Sequence, residues 1–228
     1  MGAERKRASQ KSQTMLHNPS GLYYPNRIAN ALFSAMDDVM GQHGLSTLLE
    51  IARLEQYAKN PPPDDLQREF DFAAVAALNV ALEEMYGVRG GRGIALRIGQ
   101  ATFARGLKDF GVMRAASDPA FRALPVERRA QYGLQGLIAL FENFSDQRNR
   151  LEEDTRAFHF ILENSPYAWE RQAEKPVCHM MAGILIESLR WSSNGYEFFV
   201  REVACRAAGN PECVFHIHRA PMSSSAAY

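Results

Sequence analysis

The stretch YEFFVREVACRAAGNPECVFHIH, residues 196–218, decides how this chain folds. Apolar and polar residues alternate on both sides of AAGNP, and Gly, Asn and Pro in succession are turn chemistry, so the spacing predicts two antiparallel strands joined by a turn. That turn brings Cys205, late in the first strand, close to Cys213, which opens the second. Glu202 stands three residues before Cys205, and residues three apart in a regular strand point to opposite faces. If Glu202 and Cys205 are to face one point, the strand must bulge or end around Val203 and Ala204.

Upstream, the third cysteine opens CHMMAGILIESLRW, residues 178–191, which reads as a helix with Cys178, Ala182, Leu185 and Leu189 on one face and SNG at its end. A helix start stabilises thiolate. Two readings of the thiols stand at this point. They are three small buried hydrophobes, or Cys178, Glu202, Cys205 and Cys213 surround a tetrahedral cation, for which zinc is the fitting ion. An odd number of cysteines and an N-terminus without an apolar signal segment argue against a disulfide framework and for a reducing, cytoplasmic setting.

Before this unit, RAFHFILE at 156–163 alternates Phe158, Phe160 and Leu162 against His159, Ile161 and Glu163, and NRLEEDT at 149–155 is its predicted hairpin partner. His159 therefore faces either a pocket or solvent. Ahead of Ser145 the apolar period changes to three and four. Helices are predicted from Pro25 to Gly41, from about Ser46 to the prolines at 61–63, and from Leu66 to Tyr86 with Asp64 or Asp65 as cap. More helix is predicted within residues 88–112 and after Pro125. The GGRG of the fourth segment lacks the GxxxxGK[ST] frame of a phosphate loop and reads as a structural turn. The expected class is thus α+β, N-terminal helices packed with a small antiparallel sheet. Its expected divisions are a tail over 1–20, a helical part over 21–145, a mixed part over 146–220 continuous with it, and a tail over 221–228.

Lys plus Arg and Asp plus Glu both number 26, which gives no field to attract nucleic acid or an anionic membrane, and no apolar run is long enough to span a bilayer. A small molecule or a protein is the expected partner.

PVCHMMAGILIESL followed by REVACRAAGNPECVFHI resembles the 4-vinyl reductase domain, over roughly residues 130 to 218. The resemblance implies a fold like that of TRAPP vesicle-tethering subunits, and relatives among aromatic-sensing domains of bacterial regulators and a protein of bacteriochlorophyll synthesis. In the sensing members three cysteines and a glutamate hold a structural zinc, which here implies Cys178, Glu202, Cys205 and Cys213. Those members also enclose an apolar pocket with a histidine and a tryptophan, and Phe158, His159, Phe160, Tyr167, Trp169, Met181 and Trp191 lie in the matching region. No dinucleotide or flavin motif and no spare cysteine set for an iron–sulfur cluster is present, so no catalytic residue is assigned. The favoured expectation is a non-catalytic zinc protein binding a hydrophobic, aromatic or tetrapyrrole ligand as sensor or carrier. The alternatives are an enzyme or accessory factor of chlorophyll-type vinyl reduction, and a scaffold whose long helices form a homodimer.

Overall fold

The structure is a computed structural model and describes residues 18–113 and 118–222. The expectations for tail residues 1–17 and 223–228 lie outside that range. The chain runs β1 (Tyr23–Pro25), α1 (Asn26–Ile51), α2 (Gln56–Lys59), β2 (Arg68–Asp71), α3 (Phe72–Arg105), α4 (Pro119–Arg122), α5 (Val126–Phe144), β3 (Asn149–Glu153), β4 (Ala157–Leu162), α6 (His179–Ser193), β5 (Val200–Ala204) and β6 (Cys213–His218). The class is mixed α+β, as expected.

Strands β3–β4–β6–β5 form one antiparallel sheet in that order. Phe158, Phe160, Leu162, Phe215 and Ile217 are fully buried on its inner face. They belong to one contiguous apolar cluster that also holds Ile28, Leu32 and Met36 of α1, Leu78 of α3 and Leu137 of α5, so helices and sheet share a core. Helix α3 packs on both α1 and α6.

The amino-terminal half departs from expectation in two places. A second sheet pairs β1 with β2, where only helix was predicted. The helix predicted from Leu66 begins instead at Phe72, and its cap is Asp71 rather than Asp64 or Asp65. The reason is tertiary, because strands this short are stable only against each other, and their partners lie 43 to 48 residues apart in sequence. Asp71 accepts from Ala73 N at 2.7 Å and also from Ser20 Oγ at 2.7 Å, so one carboxylate caps α3 and anchors the entering chain. Asp71→Ala is expected to lower stability by about 1–2 kcal/mol in a denaturant titration, the usual cost of a lost cap.

Gly41 (φ 74°) and Gly87 (φ 69°) break α1 and α3 without ending them. Left-handed backbone of this kind favours glycine, and at each point the helix axis changes direction. The second helix expected from Ser46 is therefore the continuation of α1 beyond Gly41.

Candidate metal centre

Cys178 occupies the N-cap position of α6, where the Ala182 N–H donates to its carbonyl at 3.0 Å. Cys205 follows the end of β5, and Cys213 opens β6 after a short 3₁₀ turn over Arg206–Ala208. The pairing of β5 with β6 shifts register between Glu202 and Ala204. This is the irregularity the Glu202–Cys205 spacing demands, and Val203 is left at 51% exposure.

These elements bring four donor atoms within 4.8 Å of one another. Cys178 Sγ lies 3.5 Å from Cys213 Sγ and 3.9 Å from Cys205 Sγ, and the remaining sulfur pair is 3.9 Å apart. A tetrahedral ion with zinc–sulfur bonds of about 2.3 Å requires sulfur–sulfur edges of about 3.8 Å. All three cysteines are fully buried and unbridged. Glu202 accepts from Cys178 N through Oε2 at 2.9 Å, while its Oε1 is buried with no protein hydrogen-bond partner. A buried carboxylate oxygen without a partner is costly unless a cation meets it. Donor set, spacing and the unpartnered oxygen all fit a tetrahedral zinc.

Around the donors, Arg206 N donates to Cys213 Sγ at 3.3 Å, and Ser165 Oγ lies 3.3 Å from Cys178 Sγ. Burial pushes the Cys178 thiol well up, with the neighbouring Cys205 and Cys213 adding to the shift. Burial, then the charge of Cys205, raises Glu202 to about 8. Hydrogen bonds from Cys178 and Cys205 pull Cys213 down to about 4. The cluster without metal thus concentrates its negative charge on Cys213 and keeps protons on Cys178 and Glu202 through neutral pH. His179, next along from Cys178, is driven to about 4 by burial and by Arg92, so it is a neutral imidazole at pH 7.

The seven residues placed in a ligand pocket by resemblance fall in different surroundings. Phe158, Phe160, Tyr167 and Met181 are buried in the core. Tyr167 Oη lies 3.4 Å from Tyr24 Oη, which in turn donates to Gln147. Trp169 is half-buried, and its Nε1 has no hydrogen-bond partner. His159 lies half-buried on the outer sheet face, its Nε2 3.0 Å from Asp154. Trp191 packs edge-on against Phe103 and lines an open groove of about 650 Å³. Met113, Phe121, Leu124, Tyr132 and Gln135 line the same groove. Periodicity did not single these out, since Tyr132 and Gln135 occupy positions of α5 that read as its solvent side. Helix α6 joins the two features, with Cys178 at its start and Trp191 thirteen residues on, about 20 Å along the axis.

The fold and this cluster define an α+β domain with a three-cysteine, one-glutamate centre. Residues 158–219 match the model of the 4-vinyl reductase domain family, so the chain carries a 4-vinyl reductase domain. Among solved structures the chain is similar to an H-NOX protein from S. oneidensis in the Fe(II)NO ligation state, with a TM-score of 0.54 and 14% identity over 85% of this chain and 99% of that one. It is also similar to the phenol-responsive sensory domain of the transcription activator PoxR with phenol, at 0.47 and 21% over 67% and 77%. A vinyl-4-reductase family protein from Methanocaldococcus jannaschii gives 0.34 and 21% over 57% and 91%. No curated protein matches the chain in sequence. Among the described residues, no helix is long and apolar enough to cross a membrane.

Proposed function

We propose that this protein is a non-catalytic zinc protein that binds a small hydrophobic or aromatic molecule and acts as a sensor or carrier. The observation that carries the zinc is the triangle of sulfurs at 3.5 to 3.9 Å closed by a carboxylate whose second oxygen has no partner. Cys178, Glu202, Cys205 and Cys213 would hold the ion, fastening the β5–β6 hairpin to the start of α6. Bound there, zinc supplies structural cross-linking in place of a larger core. Four protein donors complete a tetrahedron and leave no position for substrate, which favours a structural over a catalytic metal.

The groove beside Trp191 is the ligand site this reading uses. Its volume of about 650 Å³ lies within the range of small-molecule pockets. Aromatic side chains of Phe121, Tyr132 and Trp191 provide stacking surface, and Gln135 and Asp118 offer polar groups to orient a hydroxyl. The test is tryptophan fluorescence of the zinc-containing protein against phenols, indole, a fatty acid and a vinyl tetrapyrrole. Binding of at least one, lost in Trp191→Ala, is expected. A protein that carries one zinc and binds none of the panel would overturn the ligand reading and favour the scaffold.

A further inference from the structure

Three of the six histidines in the sequence meet on the outer face of the four-stranded sheet. His159 of β4 is the register partner of His216 on β6, and His218 follows two residues later on the same side of that strand. The ring centroids of His159 and His216 are 5.3 Å apart, and those of His216 and His218 are 5.4 Å apart. Two imidazoles bound at 2.0–2.1 Å to one tetrahedral ion place their ring centres about 5.2 Å from each other. The two observed separations match that figure.

Asp154 gives one of these rings a defined tautomer. Its Oδ2 lies 3.0 Å from His159 Nε2, while its Oδ1 accepts from Arg156 N at 2.7 Å and Ala157 N at 2.9 Å, which fixes the carboxylate in place. With the Nε2 proton directed to Asp154, Nδ1 of His159 carries the free lone pair. A carboxylate holding the far nitrogen is the arrangement that orients histidine ligands in metal sites. Phe199 backs His218, their ring centres 4.6 Å apart. His216 and His159 are half-buried and His218 is exposed, so an ion reaches all three from solvent.

We propose that His159, His216 and His218 form a second metal site, selective for imidazole-preferring divalent cations such as Ni(II), Cu(II) or Zn(II), with Asp154 as the residue that positions His159. This site is separate from the cysteine centre. Along β6 the side chains of Cys213, Phe215 and Ile217 enter the core, whereas Val214, His216 and His218 lie on the other face. Imidazole donors and an open position suit nickel and copper better than magnesium or calcium. Because it holds no sulfur and is open to solvent, the site takes up and releases metal more readily than the buried centre does.

Tag-free protein carrying zinc at the cysteine centre, titrated with Ni(II) by calorimetry, tests this directly. One additional equivalent is expected. His216→Ala and His218→Ala should each weaken it on the order of 10–100-fold, and Asp154→Asn about tenfold. Nickel uptake by Cys205→Ser should be unchanged. Bound Co(II) should show no thiolate charge-transfer band. Absence of nickel uptake by the wild type, or uptake unaltered in a His216→Ala protein of unchanged melting temperature, overturns the site. Loss of uptake in Cys205→Ser would overturn it too, by assigning the ion to the sulfurs.

Discussion

Cys205→Ser is expected to yield a protein without zinc and to lower stability by about 3–5 kcal/mol, because the metal's binding free energy is also folding free energy. Serine keeps the size of the side chain but offers a hydroxyl that does not ionise near neutral pH. The damage should be local to what the ion fastens. Residues 171–178 contain no helix or strand, and their ties to the hairpin are Ala173 N to Ala207 O at 2.8 Å and the Glu202 carboxylate on Cys178 N. Without metal the unpartnered Oε1 and three thiols must still be buried, which costs rather than contributes. Metal analysis and thermal melts measure the two effects, and a wild type that is folded without metal and as stable as with it would sink the assignment.

The protons make the same prediction quantitative in pH. Zinc binds the thiolate and carboxylate forms, so protons on Cys178 and Glu202 must leave on binding. With two protons released, apparent affinity should rise about 100-fold per pH unit between pH 6 and 7.5. Metal-free stability should respond differently. Glu202, raised from 4.5 to about 8, costs stability as pH rises across that interval, since the folded state keeps a proton the unfolded chain has lost. Cys213, lowered from 9.0 to about 4, adds stability as pH rises across its own interval. These slopes oppose, so zinc-bound protein should gain stability from pH 6 to 7.5 while metal-free protein stays nearly level.

Gly99→Ala and Gly183→Ala should do more damage than any other substitution of similar size. A Cβ at Gly99 would lie 1.9 Å from Met180 O, and one at Gly183 would lie 2.1 Å from Leu96 O. Both contacts are with backbone, so relief requires α3 and α6 to move apart and opens the core between them. The expected loss is at least about 4–5 kcal/mol, enough to leave little folded protein. Gly93→Ala, on the exposed side of α3 with nothing within 4 Å of the added carbon, is the control. It should be neutral or stabilising by about 0.5–1 kcal/mol. Urea titration of the three variants measures the contrast, and a Gly99→Ala protein as stable as Gly93→Ala would refute the close approach. Helix α6 carries Cys178 at one end and Trp191 at the other, so its seat against α3 places both the metal centre and the groove.

What the chain alone determined is local and periodic. The two-residue period at 156–163 and 196–218 defined the strands, the turn residues between Cys205 and Cys213 defined the hairpin, and the three-residue step from Glu202 to Cys205 required a bulge. Each depends on neighbours within about ten positions, where side-chain direction follows from backbone geometry. Tertiary structure decided the pairing of Tyr23–Pro25 with Arg68–Asp71, the start of α3 at Phe72, the contact of Gly99 with α6 and the groove beside Trp191. It also set His159 opposite His216, since alternation assigns a residue to a face but not to a partner. Register, helix approach and cavity shape arise from contacts between distant segments, and a one-dimensional period carries no information on the distance between them.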